Sequence, residues 1–364
     1  MRRVRKDPPY ADQGNEQTEV RRFRIAVVVS LAVAVGQQSS AQDLTTSLLE
    51  RYLEALRQQA AIPGMSAAVV QSGRVIWDKG FGLQNVERVV AARSDTPYPV
   101  TDLSQTFAAT VLLQQCVDRG NLEVTDKVRR WISQYPDREI TVGQVLTHAS
   151  PSGSYKYDPS RYQDLGGVVE QCANGKYPMK LTGEVLDRFG MTDTVPGEDL
   201  ADRSSPNRIL YPAARLRQYA DVLARVATPY KIDSRGRPTT TAYSGQALST
   251  STGVVSTVLD LARFDRSLTE LVDPGTLNVA WNRAGAGLPT GLGWFVQSYN
   301  GQRLVWHFGV AKDAYSSLVL KVPEKDLTFI LLANSDGLSA PYSLENGDVT
   351  KSLFAQVFLK LFVP

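Results

Sequence analysis

Apolar and polar positions follow two different rhythms along this chain, and the rhythm changes twice. Over residues 44–59, Leu48, Leu49, Tyr52, Leu53 and Leu56 recur at three- and four-residue spacing, which predicts a helix with one apolar face. Pro63-Gly64 ends it. A strand over residues 66–71, a tight turn at Ser72-Gly73 and a second strand over residues 74–78 then read as a β-hairpin. From Leu103 to about Ala284 the pattern is mostly helical, broken by long loops rich in Pro, Gly, Ser and Asp. Strand patterns return over residues 293–298, 303–307, 316–321 and 327–332. A closing helix is expected from about Asp348, with Leu353, Val357 and Leu361 in register.

Strands at both ends of a helical middle predict an α+β fold. Residues 42–100 and 286–364 would together form one antiparallel sheet flanked by the two terminal helices, and residues 101–285 a mostly helical lobe. A cleft between two such lobes is where a ligand site belongs.

Composition changes this picture little, but charge placement sharpens it. The chain has 364 residues, 43% of them hydrophobic and 21% charged, as expected of a globular protein. Its formal net charge of +3 resides entirely before Ile25, where seven basic and four acidic residues stand. The rest is neutral, which argues against a nucleic-acid partner. After that basic stretch, the apolar run Ile25 to Val35 leads to Gln37-Gln38-Ser39-Ser40-Ala41. Residues 1–41 therefore read as an export leader cleaved after Ala41, giving a periplasmic or extracellular protein. The competing readings are a buried helix and a membrane anchor, but the run is shorter than the roughly 20 residues that span a bilayer.

Two cysteines, Cys116 and Cys172, each lie in an apolar helical stretch and read as free buried thiols rather than a bridge. The only histidines, His148 and His307, lack companion ligand spacing, so neither a metal nor another cofactor is expected. No G-x-S-x-G turn occurs. Gly80-Phe81-Gly82 lacks the third glycine of a dinucleotide loop and reads as a strand end.

Five segments then appear in a telling order. They are Arg119-Gly120-Asn121-Leu122 with Asp126-Lys127-Val128, Ile140-Thr141-Val142 through Leu146-Thr147-His148-Ala149-Ser150, and Phe189-Gly190-Met191-Thr192-Asp193-Thr194. Ser256-Thr257 with Asp260-Leu261-Ala262-Arg263-Phe264 follows, and then Val322-Pro323-Glu324 through Leu332-Ala333-Asn334. Together they resemble the penicillin-recognising serine hydrolases, the group of class C β-lactamases, D,D-peptidases and related esterases. The resemblance runs from about Leu44 to the C-terminus and implies the β-lactamase/transpeptidase-like fold.

That family's chemistry rests on three clusters. The first is S-x-x-K at a helix start, where the lysine activates the serine. Aligning Thr106-Phe107 with the family's K-T-F places Asp102 at the serine and Gln105 at the lysine. Moving the register to make Ser104 the nucleophile puts Phe107 at the lysine, and no lysine in the chain has a serine three residues before it. Asp102 and Gln105 read instead as a capping box at the helix start, the aspartate bonding the N3 amide and the glutamine reaching back. The second cluster, Y-x-N, corresponds to Tyr157-Asp158-Pro159, with proline in place of the asparagine. The third, H-x-G, is His307-Phe308-Gly309, and the resemblance assigns an oxyanion hole to the amides of Val310 and Asp102. Gly309 would allow a ligand close to the strand, or else mark a bulge.

Of the five polar positions that matter, Tyr157 and His307 remain, and serine, lysine and asparagine are replaced. Three functions follow. One is an exported pseudoenzyme whose cleft binds a small amide or ester, a peptidoglycan peptide or a protein partner. Another is an active hydrolase rewired around Asp102, Ser104 or Tyr157. The third is a periplasmic scaffold without a ligand.

Overall fold

The computed structural model describes residue 1, residues 43–243 and residues 247–364, so the expected leader, beyond Met1, lies outside the described residues. By its contacts the chain divides into residues 1–49 and residues 50–364. A first helix, α1, occupies residues 43–59.

Within the larger unit the hairpin forms around the expected Ser72-Gly73 turn, as β1 (Gly64–Gln71) and β2 (Arg74–Asn85). Ser72 and Gly73 turn the chain with φ of 51° and 68°, the left-handed pair that a two-residue hairpin needs. Strand β2 runs on past the expected end, so Gly80 and Gly82 lie inside it. A side chain at Gly80 would meet the Ala92 carbonyl at 2.1 Å, which explains a glycine within a strand.

The short edge strand β3 (Val90–Ala91) follows, and four strands come from the end of the chain. They are β4 (Phe295–Tyr299), β5 (Gln302–Ala311), β6 (Tyr315–Val322) and β7 (Leu327–Ala333). All seven pair antiparallel in the order β3-β2-β1-β7-β6-β5-β4. Both ends of the chain thus meet at the β1–β7 pairing, where Ala67 faces Leu331.

Side-chain alternation along β7 puts helices on both faces. Thr328 bonds Asp265 of helix α4 (Val258–Leu271), whereas the next residue, Phe329, stacks on Phe358 of helix α5 (Leu353–Phe362) at 4.7 Å. Helix α5 starts later than expected, because residues Val349–Lys351 first make a 3-10 turn capped by Asp348.

Between the sheet strands of the two ends lie helices α2 (Ser104–Leu112), α3 (Leu165–Cys172) and α4, with several others. The chain enters α2 from Tyr98–Pro99, which pairs with Val254–Ser256.

Two expectations are overturned here. Cys116 and Cys172 are joined in a disulfide, with Cα atoms 5.7 Å apart. The helical turn that continues α2 and the end of α3 pack together and bring the two thiols into range. Periodicity showed that both were buried, but it carries no information about distance. Closing a loop of this size, with a sequence separation of 56 between the cysteines, is worth roughly 4 kcal/mol on chain entropy alone.

The capping box at Asp102 and Gln105 does not form. Residues Thr101–Leu103 are a 3-10 turn, α2 starts at Ser104, and its N-cap is Leu103 without a side-chain bond. Both polar side chains bond groups from other segments instead, Asp102 the Val310 N–H and Gln105 the side chains of His148 and Tyr157.

Candidate active site

The turn that precedes α2 is held tightly to the sheet. Ser317 of β6 donates to the Val100 carbonyl at 2.8 Å, and Val100 donates to the Val254 carbonyl at 2.9 Å. Thr101 is left in the left-handed region at φ 53°, a strained conformation for a β-branched residue. Gly309 of β5 makes room for it. A Cβ at Gly309 would lie 2.1 Å from Thr101 Oγ1 and 2.4 Å from the Val100 carbonyl oxygen. The glycine of the H-x-G segment is therefore required by backbone approach, not by a bulge.

This bend aims Asp102 at β5. Its carboxylate accepts from the Val310 N–H at 3.4 Å and from its own backbone N–H. Those are the two donors that the resemblance assigns to an oxyanion hole, and the carboxyl group fills the place between them. Burial pushes the Asp102 carboxyl up to about 7, only partly opposed by the two amides. Close to neutral pH it changes charge state.

Gln105 stands one turn on and joins a directed chain of hydrogen bonds. The Asp158 N–H donates to His148 Nδ1 at 3.1 Å, which places the imidazole proton on Nε2. His148 Nε2–H then donates to Gln105 Oε1 at 2.9 Å, and Gln105 Nε2 donates to the Tyr157 hydroxyl at 3.3 Å. An amide can link a donor on one side to an acceptor on the other. A lysine cannot, because it only donates. Burial, then the neighbouring His307, lowers His148 to about 3, so it is a neutral link. Its φ of 52° makes it a second strained residue at the site.

Tyr157 packs against His148 at 4.5 Å and Phe308 at 5.5 Å. Burial first, then the nearby Asp102 charge, pushes its phenol well above the usual value. His307 is fully buried on β5. It donates from Nδ1 to the Phe308 carbonyl at 2.7 Å, and burial brings it down to about 4.

Of the residues read from sequence, Asp102, Gln105, Tyr157, Gly309 and Val310 come together around one bend, and His307 lies two residues before Gly309 on the same strand face. Ser104 does not join them. It is buried, and its Oγ accepts the Val254 N–H at 3.2 Å, away from Asp102. Pro159 opens the short helix Pro159–Tyr162, whose first turn is capped by Asp158 through the Arg161 N–H. Proline at that place serves the helix start and offers no side-chain donor.

Sequence reasoning missed His148 and Tyr243 as site residues. His148 was visible inside the Leu146–Ser150 segment, one of only two histidines in the chain. Tyr243, whose phenol is raised by burial and then by the Glu198 and Asp102 charges, carries no sequence signal. Among the described residues, no group of three or more His, Cys, Asp or Glu side chains is placed to hold a metal ion.

A family model described as Beta-lactamase matches residues 49–350. Among characterised proteins, Protein flp of Staphylococcus aureus (strain N315) is 22% identical over 186 residues, covering 40% of this chain and 37% of that protein. The match thus spans well under half the length of that relative. Among solved structures, the octameric penicillin-binding protein homologue from Pyrococcus abyssi superposes with a TM-score of 0.67 at 19% identity, over 86% of this chain and 77% of that one. The D-amino acid amidase from Ochrobactrum anthropi SV3, solved with L-phenylalanine amide, also gives 0.67, at 16% identity over 88% and 98% of the two chains.

Proposed function

The chain belongs to the beta-lactamase family, and on that premise we propose that it is a catalytically silent member whose cleft binds a small ligand without being acylated. Its fold is the β-lactamase/transpeptidase-like one.

One observation carries the reading. At the position the resemblance gives to the serine, the Asp102 carboxyl turns back onto the amides of Val310 and Asp102. A substrate carbonyl would need the same two donors, and an ionised carboxylate beside them repels the negative charge of a tetrahedral intermediate. The neighbouring groups supply no base. Gln105 is uncharged, and Tyr157, pushed well above its usual range, keeps its proton near neutral pH. Ser104 is committed to Val254.

The ligand class in this reading is a small amide, ester or cell-wall peptide, supported by the solved neighbour that holds L-phenylalanine amide. Intact mass after incubation with a penicillin and with an activated ester is expected to stay unchanged. A stoichiometric adduct that Asp102→Ala abolishes would sink the proposal.

The same reading includes export. The leader pattern over residues 25–41 supports it, and so does the Cys116–Cys172 disulfide, since such bonds persist in oxidising compartments. Mature protein from a bacterial host should begin at Gln42 or within a residue or two. Intact Arg2 on soluble cytoplasmic protein would contradict this.

A further inference from the structure

Tyr157 stands at the end of a chain of hydrogen bonds that can run in only one direction. The chain starts from a backbone N–H, that of Asp158, which donates to His148 Nδ1 at 3.1 Å and cannot accept. A neutral imidazole has one proton, so His148 carries it on Nε2 and gives it to Gln105 Oε1 at 2.9 Å. That contact fixes the Gln105 amide, which turns its Nε2–H to the Tyr157 hydroxyl oxygen at 3.3 Å. Burial holds His148 at about 3, so no second imidazole proton reverses the order.

The phenol oxygen therefore accepts from within the protein, and its own proton is left to donate. Among the described residues nothing accepts it. Its ring is packed against other rings, His148 at 4.5 Å, Phe308 at 5.5 Å and Phe295 at 6.0 Å. Tyr155, two residues earlier, is engaged elsewhere, since its hydroxyl donates to the Glu345 carbonyl. Tyr157 is only half-buried, and burial keeps its phenol protonated at neutral pH. A hydroxyl donor without an acceptor, polarised by the chain behind it, favours whatever brings an acceptor to it.

We propose that Tyr157 selects the ligand of the cleft by donating its hydroxyl proton to a carbonyl oxygen, with His148 and Gln105 as positioning residues that fix this direction. The inference rests on the silent-cleft reading and names the ligand atom that is recognised. The carbonyl of an amide, ester or ketone pairs with the free O–H. A methylene group in the same place leaves it unpaired.

The test uses acetophenone and α-methylstyrene, which carry an oxygen or a methylene group on the same carbon. Both are titrated into the full chain by ligand-observed NMR, and acetophenone labelled at its carbonyl carbon reports a hydrogen bond by a downfield shift on binding. The two compounds differ in hydration, so the ratio of their affinities is compared between proteins. Tyr157→Phe should weaken acetophenone about tenfold, as expected for one hydrogen bond, leave α-methylstyrene no weaker, and remove the carbonyl shift. Gln105→Met cuts the chain but keeps the tyrosine, and should reduce both the oxygen preference and the shift. Melting curves on both variants establish that they are folded.

No binding of acetophenone, an equal loss of both compounds in Tyr157→Phe, or a carbonyl shift that survives that change would each overturn the donor role of Tyr157. A Gln105→Met protein that keeps the full preference and shift would overturn the roles of Gln105 and His148. The penicillin mass experiment decides the silent-cleft reading separately. An acyl adduct together with a preference that depends on Tyr157 would remove that reading and leave the donor standing, and no adduct without the preference would do the reverse.

Discussion

Asp265 and Asp102 are both carboxylates taken largely out of water, and the protein treats them differently. Asp265, on α4, meets Lys321 of β6 at 3.0 and 3.2 Å and the Thr328 hydroxyl at 2.9 Å, and Lys321 also lies 5.6 Å over the Trp281 ring. Their side chains are 6% and 5% exposed, so the pair is sealed between helix and sheet. Asp102 has two amides and, among the described residues, no ion-pair partner, and it keeps a face to the solvent. A buried charge with a permanent partner holds elements together. A charge with only amides around it remains open to pH and to whatever enters. The first belongs to architecture and the second to a site.

The sharpest way to break this contrast is Lys321→Met. It leaves Asp265 buried without its cation and should cost about 3–5 kcal/mol in urea unfolding. Adding Asp265→Leu should restore most of the loss. If the single change costs little, the pair is not the fixed tie described here.

Asp102→Asn tests the other side. A carboxyl raised to about 7 in the folded chain, against 3.8 ordinarily, contributes stability that is fully present below about 4 and is lost as pH rises through about 7. The asparagine variant lacks this slope. It should match wild type at pH 4 and exceed it by about 2 kcal/mol at pH 8, a value reduced from the full shift because Asp102 is partly solvated. Parallel melting curves at the two pH values provide the comparison.

Smaller in energy is the double change Asp102→Ser with Gln105→Lys. Lysine still donates to Tyr157 but leaves His148 Nε2–H without its acceptor, for a net loss of about 1 kcal/mol after removal of the buried carboxyl. The same variant frees the Val310 and Asp102-position amides and gains a serine beside an ammonium, so a slow adduct with a reactive β-lactam is expected by intact mass. Thr101→Gly should have the smallest effect, a gain below about 1 kcal/mol from relief of the φ 53° strain. Its thermal midpoint measures how much of the bend is held by its neighbours.

How much of this was legible depended on the distance over which each feature acts. The hairpin at Ser72-Gly73 and the strands of the C-terminal half announce themselves by short apolar runs and local turn chemistry, which need only a few residues to be read. The position of Asp102 was legible through resemblance, but its role was not. Asp-x-x-Gln before an apolar helix is also a sound cap, and only the 3-10 turn at Thr101–Leu103 decides against it. The Cys116–Cys172 bond and the Lys321–Asp265 pair each join segments 56 residues apart, and no local pattern encodes such a meeting. His148 was visible as a residue. Its chain to Gln105 and Tyr157 depends on a backbone amide at Asp158, which has no sequence signature.

The disulfide also makes part of the protein a covalent ring. Counting from Cys116 to Cys172, that ring contains His148, Tyr157 and Pro159, whereas Asp102 and Gln105 lie on the tail that enters it. A protease that nicks the exposed serine loop at Ser152–Ser154 would therefore release no fragment. The two pieces would travel together until a reductant opened the ring, and a nicked molecule would keep the parts of its cleft tethered to one another.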